Sequence, residues 1–395
     1  MTTTTDVRSP SLRVLFLAEG FTDIRYVDGL ARICDLTMAI PRRAYQSSGL
    51  KQRVADCGSP VAVHEIPGGR LGFQARSFAY LVRRIRRFDV ILAQEVTRGA
   101  LSANLAGRML GVPVLNTLMV APVEYYRCRR ERGQIAWWKY RLGDATIRGL
   151  MRMNGRLAAG WLALGPYLCR VARGYCPRVQ NTHYYGVDIE CFRPADAAGR
   201  RAARGALGLP DAAFLVLVAS RVSHEKDPET VLRAVARIRA GGRDAVVVNL
   251  GGGYREFMAL AHRLGLSEAE AWVLGRPAAH PMRELARYYQ AADVVVQSSL
   301  AEGLGLSPLE ALASGVPVVA SEVGGMADVL PGYARLFPRG DDAAAAEQLA
   351  WVAANPEEAR AQALRGREFV AREWNRHLAF YDLRDALTAA ARQAR

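Results

Sequence analysis

The chain has 395 residues, half of them hydrophobic, with 36 glycines and a formal net charge of +15. That length suits two full domains with separate cores, and the composition excludes disordered, collagen-like and disulfide-stapled classes. No run reaches the 18 apolar residues that a membrane-spanning helix needs.

Before position 12 there is neither a charged leader nor the apolar centre of a signal peptide. Residues 12–18 read as a first buried strand, and Gly20 in LAEGFTD fits the tight turn that follows it. Further strands are expected at 33–40, 61–66, 90–93, 112–115, 160–164 and 179–184. Helices are expected at 73–87, 100–110 and 166–173. Strand and helix in alternation argue for a parallel, doubly wound sheet.

Between Pro122 and Arg156 there are nine basic residues against three acidic ones, and two tryptophans. Trp138, Leu142, Ala145, Met153 and Leu157 approximate one helical stripe. Basic residues with interfacial aromatics favour an anionic bilayer surface, whereas an ordinary amphipathic helix packed on the first domain accounts for the same pattern. Arg83, Arg84, Arg86 and Arg87 form a second basic cluster. The overall excess of Arg over Lys is what a GC-rich bacterial genome encodes. No helix-turn-helix, zinc or RNA-binding pattern accompanies the charge, so no nucleic-acid partner is expected.

The second half repeats the strand–helix scheme from Phe214. After the expected strand at 214–219 comes SRVSHEKDPETVLRAV, in which Arg221 and Lys226 lie five apart across a turn. Arg supplies a bidentate fork and Lys a point charge, a pairing suited to a diphosphate. Only three lysines occur in the chain, Lys51, Lys139 and Lys226.

The stretch AEGLGLSPLEALASGVPVVAS, 301–321, lies between strands expected at 293–297 and 316–320. Its helix is expected to begin near Pro308, with Ser307 as cap and Glu310 as the capping-box acid. The turn amides of Gly303, Leu304, Gly305 and Leu306 would then be exposed at its mouth, as an anionic phosphate requires. Glu302 and Glu310, one on each side, suit the hydroxyls of a sugar and a ribose flanking a diphosphate, although either acid has an ordinary structural reading when taken alone. A last helix is expected at 374–391.

These elements resemble the retaining glycosyltransferases of family 4. The likeness rests on Arg221 with Lys226, the run GGGYREFMALAHRLGL from Gly251, the run LGRPAAHPMRELARYYQAADVVVQSSLAEGLGLSPLEALASGVPVVASEVGG from Leu274, and the linker GVDIECFRP from Gly186. It is dense from about 160 to 330 and thin before 110. It implies an α/β GT-B architecture, two Rossmann-like doubly wound domains facing a central cleft. Expected divisions are an acceptor-side domain at 1–190, a nucleotide-sugar-binding domain at 191–372, and a helix at 373–395 crossing back to the first domain.

The resemblance implies transfer of a hexose-type sugar, with retention and by a front-face route, from a nucleotide-diphosphate sugar to a glycan, lipid-linked or small-molecule acceptor. Arg221 and Lys226 would hold the diphosphate and stabilise the leaving group. Glu302 would bind hydroxyls of the sugar, Glu310 the ribose, and the backbone at Gly275 and Arg276 the nucleobase; Gly20 would face the donor phosphate. The donor is a co-substrate, and no cofactor or metal is implied. Six cysteines without CxxC spacing and scattered histidines agree, reading as reduced thiols in a cytoplasmic protein, with the inner face of the membrane as the alternative place.

The first half departs from the family. NTLMVAP places Thr117 in register with the usual Thr-x-His motif but puts Met119 where the histidine would fall. AQEVTRG offers Gln94 and Glu95 in place of another histidine-bearing segment. Glu95 is either an acceptor-side base or a strand-end carboxylate in a salt bridge. A non-catalytic nucleotide-sugar-binding protein and a nucleotide-sugar epimerase or phosphorylase of the same fold therefore remain as alternatives.

Overall fold

A computed structural model describes residues 12–393 apart from 21, 48, 59, 267–268 and 279–281. The leader reading at 1–11 and part of the run from Leu274 lie outside the described residues. The chain divides into two compact units. The first comprises 1–119, 141–185 and 379–395, the second 120–140 and 186–378.

The first unit is built on strands β1 (Arg13–Leu17), β2 (Asp35–Pro41), β3 (Ala62–Ile66), β4 (Val90–Ala93), β5 (Val114–Leu118), β6 (Gly160–Leu164) and β7 (Val179–Thr182). They form one parallel sheet in the order β3-β2-β1-β4-β5-β6-β7. β1 and β4 are nearly continuous apolar runs because helices cover both faces of the sheet. On one face Leu15, Leu17, Ile91 and Ala93 pack with Phe73, Ala100 and Ala103 of the helices Arg70–Arg84 and Arg98–Leu110.

Two strands of this unit start two residues later than expected, each for a local reason. Cys34 closes the helix Ile24–Ile33 through its amide bond to Leu30, so β2 begins after it. Gly111 is left-handed, the Val112 amide bonds back to Gly107, and Pro113 lacks an N–H, so β5 begins at Val114.

The second unit holds β8 (Phe214–Val218), β9 (Ala245–Leu250), β10 (Val273–Arg276), β11 (Val294–Gln297), β12 (Val318–Ser321) and β13 (Arg335–Phe337). The sheet is parallel, in the order β10-β9-β8-β11-β12-β13. Both sheets reverse their strand order once, between β1 and β4 in the first and between β8 and β11 in the second. Ligands of doubly wound sheets bind beyond the carboxyl ends of the strands at that reversal.

The segment 120–140, expected in the first domain, clusters with the second unit. Its helix Pro122–Glu131 packs on the short turn His224–Lys226. The helix Trp137–Leu157 passes from one unit into the other, as does the last helix, Arg376–Gln393. Among the described residues no helix is long and apolar enough to cross a membrane.

Candidate donor site

The carboxyl ends of β8 and β11 lead into the loops that carry Arg221, Lys226 and Glu302. Lys226 Nζ donates to Glu302 Oε2 across 76 positions of sequence. The same oxygen accepts from Ser299 Oγ at 3.0 Å and from Gln297 Nε2 at 3.3 Å. Glu302 Oε1 accepts the Gly303 amide at 3.2 Å. Four donors on one carboxylate are the environment of a charged acceptor.

The turn was expected to be exposed at the mouth of the helix, but Glu302 is only 8% exposed, and Ala301, Gly303, Leu304 and Gly305 are buried. The turn folds under the start of the helix Gly324–Val329, where the Gly325 amide bonds the Glu302 carbonyl at 3.2 Å. A Cβ on Gly325 would stand 2.0 Å from the Gly303 carbonyl oxygen, so glycine is required by this approach.

The expected cap at Ser307 is also corrected. The helix runs Leu306–Ala313, preceded by Gly305 in the left-handed region, with no side-chain cap. Ser307 and Glu310 instead share a buried tyrosine: Tyr289 Oη lies 3.0 Å from Ser307 Oγ and donates to Glu310 Oε2 at 2.7 Å. Glu310, 4% exposed, is therefore a buried acceptor rather than a capping-box acid. The first-turn amides of this helix have no intrahelical partners and adjoin the Glu302 turn.

Arg221 is largely exposed and pairs with Glu225 at 2.6 Å. Gly275 and Arg276 end β10, where the Arg276 carbonyl accepts the Gly251 amide at 3.1 Å. The helix Pro122–Glu131 adds a side chain that sequence reading missed. Tyr125 is half-buried, and its phenol is pushed well up by burial and then by the Glu302 and Glu225 carboxylates, with Arg221 opposing. Glu225 itself was within reach of the sequence, four positions after Arg221; Tyr125 was not.

In the first unit, Glu95 neither forms the expected salt bridge nor stands alone. It hydrogen-bonds Glu19 and accepts from Thr97 Oγ1 at 2.7 Å and from the Gly99 amide. Burial first, and the neighbouring Glu19 second, push its carboxyl up to about 8. Glu19 is in turn held by Arg98 Nη2 at 2.6 Å and Gln74 Nε2 at 3.2 Å. Thr117 is buried, its hydroxyl turned onto the Gln94 carbonyl at 2.7 Å, which is a structural role for a residue expected on the acceptor side. Gly20 lies in the turn after β1, next to Glu19. Among the described residues no group of three or more His, Cys, Asp or Glu side chains is placed to hold a metal ion.

Residues 199–369 match the family model for glycosyl transferases group 1. The D-inositol 3-phosphate glycosyltransferase 1 of Catenulispora acidiphila is 42% identical over 164 residues, 39% of this chain and 38% of that protein. The D-inositol 3-phosphate glycosyltransferase of Saccharomonospora viridis is 38% identical over 233 residues, 55% of this chain and 51% of that protein. The chain thus spans between 38% and 51% of the length of these two curated relatives.

Among solved structures, Anabaena HepE in complex with UDP-glucose superposes with a TM-score of 0.75 at 16% identity, covering 95% of this chain and 100% of that one. Sucrose-phosphate synthase from Thermosynechococcus elongatus gives 0.76 at 20% identity, covering 96% and 100%. These likenesses show the fold, two parallel-sheet Rossmann-like units of the GT-B architecture. The matched stretch, residues 199–369, is the one that holds Arg221, Lys226, Glu302 and Glu310.

Proposed function

We propose that the protein is a retaining glycosyltransferase that moves a hexose-type sugar from a nucleotide-diphosphate sugar to a hydroxyl acceptor. The observation that carries this reading is the placement of Arg221, Lys226 and Glu302 at the strand-order reversal of the unit that matches the group 1 glycosyl transferase model. The two cations, with the first amides of the helix Leu306–Ala313, take the diphosphate and stabilise charge on the departing oxygen. Glu302 accepts hydroxyls of the transferred sugar, and Glu310 those of the ribose. Gly275 and Arg276 meet the base, and Gly20 of the first unit faces the donor phosphate.

Transfer runs by a front-face route. The acceptor oxygen bonds the anomeric carbon on the side from which the diphosphate leaves, and the acceptor proton passes to the departing phosphate oxygen. Arg221 and Lys226 do the neutralising, so full turnover is expected in excess EDTA.

Acceptor classes are a glycan, a lipid-linked glycan or a small molecule. The names of the curated relatives make D-inositol 3-phosphate the first small molecule to try. Nucleotide release from UDP, GDP, ADP and TDP sugars, with and without acceptors, tests the reading, with the product's anomeric configuration read by NMR. Acceptor-dependent release with retention is the expected result. Nucleotide binding without turnover would favour a non-catalytic binding protein, and an isomerised sugar nucleotide an epimerase.

A peripheral place on the inner face of the membrane belongs to the same proposal. The expected stripe is on the open face of its helix: Trp138 is 60% and Leu142 65% exposed, beside Trp137 at 63%. Arg127, Arg129, Lys139 and Arg141 stand around them in sequence, whereas Arg132 is engaged elsewhere. Co-sedimentation with anionic liposomes that falls with salt, and is lost in Trp137→Ala with Trp138→Ala, is the expected outcome. Unchanged sedimentation would leave a packed basic helix.

A further inference from the structure

The helix Pro122–Glu131 is fastened to both loops that carry the site. Just past its end, Arg132 pairs with Oδ1 of Asp227, the residue after Lys226, and lies 3.7 Å from Glu229. Near the same end Glu131 pairs with Arg339 at 3.3 Å, and Arg339 also reaches the Leu300 carbonyl at 3.4 Å, two positions before Glu302.

Asp227 is an unusual anchor. It is 1% exposed and adopts φ +45°, a left-handed backbone that non-glycine residues seldom take. Its Oδ2 accepts from Thr230 Oγ1 at 2.6 Å, and its carbonyl and that of Lys226 lie 2.8 and 2.9 Å from Ser298 Oγ. Arg132 is the cation placed against this buried carboxylate. Without it a buried charge would stand directly behind Lys226, and the strained turn would be the place to relieve it.

We propose that Arg132 is a positioning residue of the donor site. By neutralising Asp227 it holds the 224–227 turn in the conformation that aims Lys226 at Glu302, and hence at the donor diphosphate. This rests on the functional reading above but adds a residue outside the matched stretch 199–369.

The test is UDP binding to the full chain by titration calorimetry, well below each variant's melting temperature. Arg132→Gln is expected to weaken binding tenfold or more. Arg132→Gln with Asp227→Asn removes both charges and keeps a residue that tolerates the left-handed turn, so binding should return to within a few-fold of wild type. If Lys226→Gln is added to Arg132→Gln, little further loss is expected, because both changes act through one ammonium group. A lower melting temperature with unchanged UDP affinity in Arg132→Gln would overturn the proposal. So would a folded double variant whose affinity stays low. If wild type binds neither UDP nor GDP, ADP or TDP, the functional reading falls and this inference with it; if wild type binds and the variants match it, the inference alone falls.

Discussion

The two units place carboxylates at the same topological point and surround them differently. Between β8 and β11, Glu302 faces Lys226, with Arg221 and its partner Glu225 beside it. Between β1 and β4, Glu19 and Glu95 face each other and share a hydrogen bond, with Arg98 held by Glu19 alone. One crevice sets a cation against a carboxylate, and the other sets two carboxylates against each other, where burial favours the protonated form of Glu95. The sheet decides where chemistry can occur, and the residues after each strand decide which chemistry.

Replacing Lys226 or Glu302 by Ala should have the largest effect. Either change leaves a buried charge without its partner, costing about 3–5 kcal/mol of stability. Turnover should fall by roughly a hundredfold or more, as for the loss of one preorganised donor in an oxyanion site. Thermal melts and kcat on the folded fraction check this. A double variant whose stability loss equals the sum of the two singles would show that the ion pair contributes nothing as a pair.

Next is the carboxyl pair. An acid raised from its ordinary 4.5 to about 8 keeps its proton in the folded state where the unfolded chain has lost it. The stabilisation it gives is complete below pH 4.5 and is lost as pH rises through 8, so stability should decline across that window. Glu95→Gln, which cannot ionise, should flatten the decline. Denaturant midpoints from pH 5 to 9 measure it; an equal slope in wild type and variant would assign the titration elsewhere.

Smallest is Tyr289→Phe, which removes a buried donor to Glu310 and should cost about 1–2 kcal/mol with nucleotide affinity reduced only modestly. Glu310→Gln should act more on nucleotide binding than on melting temperature. Reversal of that order would make Glu310 a structural acceptor.

Much of this was legible before any coordinates. Apolar runs such as FLVLV and DVVVQ gave their strands to within a residue because strands covered on both faces have no polar alternation to blur them. Glu302 and Lys226 were each legible as site residues because each follows a strand end, but their pairing was not, the sequence having set Lys226 with Arg221 and Glu302 with Glu310. The position of Glu310 was legible, but its partner was not: Ser-Pro-Leu-Glu has the spacing of a capping box, and a tyrosine on another helix took both side chains instead. Arg132 and Asp227 were beyond reach. They lie 95 positions apart, and nothing periodic tells an arginine after a basic helix that it belongs with the second sheet. Glu19 was visible in LAEGFTD only as part of a turn, because its partner follows β4, with two strands intervening in the chain.

The last helix has a consequence for the order in which the molecule is made. Phe380 lies against Gly29, its ring occupying the space a Cβ there would need, with Tyr26 alongside and Asp382 meeting His183 at 3.1 Å. These contacts complete the first unit, yet the whole of 186–378 is synthesised between them and the residues they cover. On the ribosome the first-made unit must therefore wait with the Gly29 face uncovered, while the second, nearly continuous in sequence, can close earlier. Assembly runs opposite to synthesis, and a released chain truncated after residue 378 should yield a protease-resistant second unit beside a digestible first.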